Sequence, residues 1–292
     1  MVDGPGPSGG LGELTQRSAR VVAAVKLQRH TGRRRSGSFL AEGPNLVQAA
    51  AARGLVDEVF ATAVAAERHR DLLHGLPVAL VTEAAVKALS ETVTPSGLVA
   101  VCHTPSIDLD AVLAERPTLV AVAVDLSEPG NAGTLIRAAD AMGASAVIFA
   151  GQSVDPYNGK CLRSSAGSIF ALPVLTEPDV TGLLDRLRAA GLQVLATALD
   201  GDLNLDEADP VLARPTAWVF GSEAHGLSAE VSAHADRKII IPMAGGAESL
   251  NVATAAAICL YQTARAQRGN RGTQNRGTQN RGTQNRATQN QE

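Results

Sequence analysis

The chain lacks the features on which several classes of protein depend. Its 292 residues include only three cysteines, at 102, 161 and 259, with no Cys-x-x-Cys or Cys/His spacing suited to a metal. We therefore predict neither a disulfide framework nor a metal site. The lack of disulfides is typical of the reducing cytoplasm. No apolar run approaches 18 residues, so no membrane-spanning helix is predicted. The N-terminus also lacks the basic-then-apolar pattern of a secretory signal.

Common catalytic and nucleotide-binding motifs are missing too. The sequence contains no GxxxxGK[ST] phosphate-binding loop, and no GxGxxG follows the first strand predicted in either domain. No Ser-His-Asp set can be defended from the residue order. These gaps disfavour an ordinary nucleotide-binding enzyme.

Charge is scarce overall but unevenly distributed. The net charge is −3, which by itself argues against a nucleic-acid partner. Residues 107–268 carry 11 basic and 19 acidic side chains, whereas residues 14–41 carry seven basic side chains and no carboxylate. Such a cluster can bind phosphates whatever the global charge. Four arginines in or beside a predicted loop at 30–38 are the candidate RNA contacts; the alternative is a solvated basic loop. They are Arg29, Arg33, Arg34 and Arg35.

Composition and periodicity predict two α/β domains with tails. The 45% hydrophobic content allows two cores. Strands and helices alternate through the first domain, and an unbroken apolar run at 118–126 is typical of a central parallel strand in the second. The predicted parts are a disordered leader at 1–14, a substrate-binding domain at 15–106, a linker at 107–117, a catalytic domain at 118–267 and a low-complexity tail at 268–292.

The chain is organised around the stretch 218–261. Two apolar runs, 218–220 and 239–241, read as buried strands, and each ends in a glycine-bearing loop. A helix of very small residues is predicted to start at Ser249. Loops at the ends of neighbouring parallel strands form a crevice in which ligands bind. The alternative is two ordinary surface turns, which would leave the clustering of Glu223, Ser249 and Asn251 without a reason.

Three ordered motifs resemble the SpoU (TrmH-type) RNA ribose methyltransferases of the SPOUT superfamily. FGSEAHGLS and IPMAGGAESLNVATAAA resemble the second and third motifs, and NAGTLIRA, from Asn131 to Ala138, resembles the first. FLAEG and SETVTPSGLVAV resemble the L30e-like domain that precedes the catalytic domain in this family. Similar domains occur in ribosomal RNA enzymes, including those that confer resistance to thiopeptide antibiotics.

The resemblance implies a fold, a cofactor and an assembly. It implies a small L30e-like α/β domain followed by an α/β domain with a trefoil knot, which binds S-adenosylmethionine and forms a homodimer. The family's cofactor positions match Gly221, Ile241 and Leu250; simple core packing is the alternative for the last two. We expect the helix from Ser249 to Arg265, apolar nearly all round, to be buried on several sides, one of them against the partner.

The family's polar active-site positions match Asn131, Arg137, Glu223, Ser249 and Asn251. Outside the motif, Arg137 would read as a solvated helix arginine. Because a guanidinium resists deprotonation, we expect Arg137 to bind a phosphate and stabilise the developing alkoxide rather than act as the base. Glu223 either accepts the proton or orients Asn131. His225 is expected to serve the structure of its loop.

The resemblance leaves the substrate open. We expect S-adenosylmethionine-dependent methylation of a ribose 2′-hydroxyl in RNA, with 23S ribosomal RNA preferred over transfer RNA. Two alternatives are a non-catalytic RNA-binding protein of the same fold and a knotted enzyme that methylates a base carbon or nitrogen. The pairing of Asn131 with Arg137 favours the ribose oxygen.

Overall fold

The computed structural model describes residues 12–222 and 225–269, which divide into two compact units. The first unit contains the described residues up to Pro105 together with Tyr157–Arg163. The second contains Ser106–Pro156 and the described residues from Ser164 onward. No helix in the described part of the chain is long and apolar enough to cross a membrane. The leader up to residue 11, Glu223 and the tail from residue 270 lie outside the described residues.

The first unit has a four-stranded sheet in the order β1-β4-β2-β3. Its strands are β1 (Ser38–Glu42), β2 (Val56–Ala61), β3 (Val78–Leu80) and β4 (Leu98–His103). Its helices are α1 (Ala19–Val25), α2 (His30–Ser36), α3 (Pro44–Ala51), α4 (Ala63–Arg68), α5 (Arg70–Leu73) and α6 (Glu83–Leu89). β4 pairs antiparallel with both neighbours, and β2 pairs parallel with β3. Apolar residues of α1 and α6 pack with Phe60 and Val99 to form a core.

The basic segment predicted as a loop is helical, because α2 covers most of it. Gly37 ends the helix in the left-handed conformation, with φ +63°, and its N–H donates to the Arg33 carbonyl at 2.8 Å. A left-handed glycine is a common helix stop, and cationic side chains in the last turn favour the negative end of the helix dipole. Arg34 and Arg35 therefore favour a helix end where we predicted irregular chain.

The second unit is a seven-stranded parallel sheet in the order β7-β6-β5-β10-β8-β11-β9. Its strands are β5 (Leu119–Val124), β6 (Ala146–Ala150), β7 (Val174–Glu177), β8 (Gln193–Thr197), β9 (Leu203–Asn204), β10 (Thr216–Phe220) and β11 (Arg237–Ile240). Its helices are α7 (Leu109–Ala114), α8 (Pro129–Ala141), α9 (Gly159–Ser165, shared with the first unit), α10 (Val180–Ala189), α11 (Asp209–Leu212), α12 (Ala229–Ala233) and α13 (252–269). Every residue of β5, β6 and β10 is buried, which confirms the central strand predicted from the apolar run.

Helix α13 runs from the carboxyl ends of the parallel strands to their amino ends. At its start Asn251 donates to Asn131, which lies beyond the carboxyl end of β5. Further along, the buried Trp218 donates its Nε1–H to Thr263 Oγ1 at 2.8 Å. At its end Gln267 donates to the carbonyl of Thr118, which precedes β5. The helix therefore places its N-terminus among the loops at the carboxyl edge.

Two predicted helix starts were wrong by a few residues. α13 begins at residue 252 rather than at Ser249, because Asn251 is the residue whose side chain caps the free N–H groups. In α8 the cap is Glu128, whose carboxylate accepts from the Gly130 N–H at 3.2 Å, and Asn131 lies in the first turn. The predicted linker at 107–117 also contains helix α7.

Candidate active site

A cavity of about 740 Å³ lies at the carboxyl edge of the second unit's sheet. Loops that follow three adjacent strands, β8, β10 and β11, form most of its wall, and the start of α13 forms the rest. This is the edge at which open parallel sheets bind ligands. Its volume falls within the range of about 300–1,000 Å³ typical of small-molecule sites.

Gly221 is a glycine because the chain returns very close to it. A side chain there would place its Cβ 2.2 Å from the carbonyl carbon of Gly226 and 2.5 Å from the Leu227 nitrogen. Ser222 and Gly226 close this turn with two backbone hydrogen bonds, of 3.0 and 3.1 Å. The bare backbone of Gly221 lines the cavity and can approach a ligand closely.

Ile241 and Leu250 line the same cavity from the other motif. Ile241 is half-buried and Leu250 is 36% exposed, whereas Ile239, two residues before Ile241, is completely buried in the strand. The core position in this segment is therefore Ile239. Ile241 and Leu250 instead form part of the cavity wall.

The first and third motifs meet through two asparagines. Asn251 Oδ1 accepts from the N–H groups of Ala253 and Thr254, at 2.9 and 3.3 Å. Since those donors fix the oxygen of the amide, its nitrogen is the donor to Asn131 Oδ1, at 2.9 Å. One side chain thus caps α13 and orients the amide of Asn131, although 120 residues separate the two asparagines.

Arg137 is an exposed arginine without a carboxylate partner among the described residues. Several other arginines of the second unit are paired, among them Arg186 with Asp110, Arg237 with Asp202 and Arg265 with Asp209. Because this unit is rich in acidic residues, an uncommitted guanidinium two turns into α8 is available to an anionic ligand.

The structure describes only one of the two remaining predicted polar residues. Ser249 is exposed and lines the cavity, as does His225, whose N–H donates to Ser222 Oγ at 3.4 Å. That contact fits the structural role expected of the His225 loop. Glu223 lies outside the described residues. Within the described ranges, no group of three or more histidine, cysteine or acidic residues could hold a metal ion.

The loop after β8 forms a third wall of the cavity, which was not predicted from the sequence. Leu199 and Asp200 line the cavity from a short turn. The turn is held against β11 by two bonds: Ala198 N–H to the Ile239 carbonyl at 3.0 Å, and Asp202 N–H to the Lys238 carbonyl at 2.9 Å. The carboxyl end of the strand predicted at 192–198 is the signal for this loop, because open parallel sheets bind ligands at the carboxyl ends of their strands.

The basic stretch of the first unit contains two kinds of arginine. Arg29, Arg34 and Arg35 are exposed, and no ion pair of theirs is found in the described part of the chain. Arg33 is only 7% exposed, and its Nη1 donates to the carbonyls of Leu27 and Gln28, both at 2.9 Å. The geometry therefore argues against the predicted RNA contact at Arg33, because its guanidinium is committed to the backbone.

These features define an α/β domain with a cavity at the carboxyl ends of its strands and two motif asparagines, the arrangement that the resemblance to the SpoU methyltransferases implies. The cavity fits S-adenosylmethionine: it is large enough, it has both apolar and polar walls, and it includes bare glycine backbone. The SpoU rRNA methylase family model matches residues 118–261, and the MRM3-like substrate binding domain model matches residues 18–100.

Individual relatives agree with these models. The 23S rRNA (guanosine(2553)-2′-O)-methyltransferase RlmP of Bacillus subtilis is 37% identical over 239 residues, which are 81% of this chain and 92% of that protein. The 23S rRNA (uridine(2479)-2′-O)-methyltransferase of Streptomyces viridochromogenes is 37% identical over 61% of this chain and 63% of its own length. The crystal structure of the SpoU methyltransferase AviRb from the same species, in complex with AdoMet, superposes with a TM-score of 0.75 at 33% identity, covering 85% of this chain and 98% of that one.

The chain therefore belongs to the SpoU rRNA methylase family. It is an S-adenosylmethionine-dependent RNA ribose 2′-O-methyltransferase, as the three motifs predicted.

Proposed function

We propose that this enzyme methylates a ribose 2′-hydroxyl of 23S ribosomal RNA in the cytoplasm. The observation that carries the proposal is the Asn131–Asn251 hydrogen bond, which joins two motifs beside a cofactor-sized cavity. The relatives from Bacillus subtilis and Streptomyces viridochromogenes, both named for 23S rRNA ribose methylation, support the choice of RNA.

The cavity residues hold the cofactor mainly through their backbone. S-adenosylmethionine supplies a methyl group already activated by a positively charged sulfur, so the protein contributes position rather than electrophilic help. Gly221 offers backbone without a side chain, and Ile241 and Leu250 supply apolar contact and backbone groups from the third motif. No metal takes part in this proposal.

Arg137 supplies the positive charge on the RNA side. As the attacking 2′-oxygen loses its proton, negative charge develops on it, and a fixed cation stabilises that charge. The fork of the guanidinium can also hold an adjacent phosphate with two parallel hydrogen bonds. Arg137 meets both needs because no carboxylate among the described residues competes for it.

The asparagine pair and its neighbours position the hydroxyl. Asn251 fixes the amide of Asn131, so that Asn131 presents a defined face to the reacting ribose. Ser249 lies just before the N-terminus of α13, where exposed N–H groups favour anionic oxygen. Glu223 accepts the hydroxyl proton or orients Asn131, as the second motif implies.

RNA is bound outside the cavity by the first unit. Arg29, Arg34 and Arg35 are the phosphate contacts in this proposal, and Arg33 is left out because it is buried. The match of residues 18–100 to a substrate-binding domain supports an L30e-like RNA-binding role for this unit. The domain limits 15–106 and 118–267 belong to the same proposal, with Tyr157–Arg163 added to the first unit.

We propose a homodimer through the outer face of α13, and a trefoil knot around the cofactor loops, as the family resemblance implies. The outer face is marked by Tyr261, which is 51% exposed, and by half-buried Ala257 and Ile258. Ala256, in the middle of the same helix, is completely buried within the protomer. A bulky residue at Ala256 would therefore disturb the fold instead of testing the dimer.

The test is to map ribose methylation in RNA from a strain that lacks this protein. One 23S ribosomal RNA position should lose its 2′-O-methyl group and regain it when the gene is restored. Transfer RNA sequenced in the same libraries serves as the comparison. Loss of a transfer RNA methyl group, or a normal methylation map, would contradict the proposal.

A further inference from the structure

The turn after β8, called here the 198–202 loop, supplies an acidic side chain to the cavity. Asp200 is the one acidic residue among the described residues that line the cavity, and Leu199 lines it from the same loop. Both side chains are exposed, so their own packing does little to hold them there. Because S-adenosylmethionine carries a positively charged sulfur, its binding depends on how far this carboxylate lies from it. The position of the loop therefore bears on cofactor affinity.

Asp202 fastens the end of the 198–202 loop to β11 through both oxygens of its carboxylate. Its Oδ1 accepts from the Lys238 N–H at 2.7 Å, and its Oδ2 accepts from Arg237 Nη1 at 2.9 Å. The Asp202 N–H also donates to the Lys238 carbonyl at 2.9 Å. The Arg237 guanidinium, followed by the Lys238 N–H, lowers the pKa of the Asp202 carboxyl below its usual value, so the carboxylate is charged at neutral pH.

Gly201 allows the loop to lie as close to β11 as these bonds require. A Cβ at this position would lie 2.5 Å from the carbonyl oxygen of Lys238. That oxygen belongs to the backbone of a strand, so no change of rotamer can move it aside. At the start of the loop, the Ala198 N–H donates to the Ile239 carbonyl at 3.0 Å. The two cavity residues of the loop thus lie between two points of attachment to β11.

A second ion pair of the same unit shows what sets Asp202 apart. Asp209 pairs with Arg265, and the side chains of Asp209 and Asp202 are both 48% exposed. Such exposed pairs contribute little to stability by themselves. Asp209 is not among the described residues that line the cavity, and the segment around it does not line the cavity either. Asp202 instead holds a loop that forms a cavity wall, and it does so partly through a backbone N–H.

We propose that Asp202 is a positioning residue for the cofactor: it holds Leu199 and Asp200 at the cavity wall and thereby sets the affinity for S-adenosylmethionine. Without this clamp the loop occupies its binding position for only part of the time, and the apparent affinity falls by that fraction. Asp202 does not line the cavity itself, so the rate of methyl transfer at saturating cofactor does not depend on it. This inference rests on the proposed function, which assigns the cavity to the cofactor.

The experiment measures S-adenosylmethionine binding to the full-length protein by calorimetry, without RNA. Asp202→Ala removes both carboxylate contacts and should weaken binding roughly tenfold. Asp202→Asn keeps an oxygen for the Lys238 N–H and loses only the ion pair, so binding should weaken about twofold. Asp209→Ala is the matched control and should bind the cofactor as the wild type does. The melting temperature of each cofactor-free variant reports any general loss of stability.

Methylation kinetics separate positioning from stability. In Asp202→Ala the KM for S-adenosylmethionine should rise roughly tenfold, whereas kcat and the KM for 23S rRNA should stay unchanged. Wild-type cofactor affinity in Asp202→Ala would overturn the proposal. An equal loss of affinity in Asp209→Ala would overturn it as well, because the effect would then follow stability.

Leu250→Arg tests the function on which this inference rests, because it fills the cavity from the third motif. This variant should lose S-adenosylmethionine binding while its melting temperature stays close to that of the wild type. Wild-type affinity in Leu250→Arg would place the cofactor elsewhere and refute the cavity assignment of the proposed function. Lost binding in Leu250→Arg together with wild-type binding in Asp202→Ala would refute the positioning role alone.

Discussion

Asn251 has two separable tasks, and substitution can divide them. Its oxygen caps α13 through Ala253 and Thr254, and its nitrogen holds Asn131. Serine caps a helix about as well as asparagine but has no amide nitrogen to reach across. Asn251→Ser should therefore keep the cap and lose the Asn131 contact, whereas Asn251→Ala should lose both.

The two variants should differ in stability and agree in activity. Both variants lose the hydrogen bond to Asn131, and Asn251→Ala also loses the cap, so Asn251→Ala should be less stable than Asn251→Ser by about 1 kcal/mol. The hydrogen bond to Asn131 contributes about 1 kcal/mol, and if the transition state depends on it, kcat should fall roughly fivefold in both variants. Urea denaturation gives the stabilities, and single-turnover methylation of 23S rRNA gives the rates.

Asn131→Ala provides the matched control, because it removes the same hydrogen bond from the other side and leaves the cap of α13 intact. Its rate should be no higher than that of Asn251→Ser. If Asn251→Ser turns over at the wild-type rate, the Asn131–Asn251 bond does not position the reacting group. A rate loss confined to Asn251→Ala would assign the whole effect to the helix cap.

Other predictions test the cofactor, the cation, the RNA surface and the assembly. Calorimetry with a chelator present should show S-adenosylmethionine binding unchanged, and lost affinity would point to a metal. Arg137→Ala should lower kcat by about 10²–10³ with cofactor affinity kept, and Arg137→Lys should recover little of it; turnover near the wild-type rate in the alanine variant would refute the role. Replacing Arg34 and Arg35 by alanine should flatten the salt dependence of RNA binding, whereas Arg33→Ala should cost about 1–3 kcal/mol of stability; an unchanged slope would remove Arg34 and Arg35 from the interface. Tyr261→Arg should convert a dimer to a monomer by light scattering, and a wild-type monomer at micromolar concentration would end that proposal.

The sheet of the second unit could be predicted because a strand buried on both faces has an uninterrupted apolar sequence. β5 is covered on both faces, so every one of its positions is apolar and the run is unbroken. The glycines after β10 predicted a loop that binds ligand, and the close approach at Gly221 supplies the steric reason. The loop after β8 has no comparable signal in the sequence. Backbone hydrogen bonds to β11, which do not depend on side-chain type, hold Asp200 at the cavity.

Helix starts were harder because several residues near each start can serve as caps. Asn131 is a good cap by type, yet Pro129 takes the first helical position, which it favours because it has no N–H to satisfy. That leaves Glu128 as the cap. Similarly Ser249 and Asn251 are equal candidates by type, and only the geometry of the third motif decides for Asn251.

The arginine run shows why charge pattern alone cannot locate an RNA surface. Arg33, Arg34 and Arg35 are chemically identical neighbours, but α2 turns about 100° per residue and so directs them to different sides. Arg33 meets the end of the short helix Lys26–Gln28, where the carbonyls of Leu27 and Gln28 need donors, and its guanidinium fills that need. A buried arginine in that position holds together the segment from which Arg34 and Arg35 project. Removing Arg33 should therefore weaken RNA binding only by loosening this segment, and added osmolyte should restore binding to Arg33→Ala but not to the variant lacking Arg34 and Arg35.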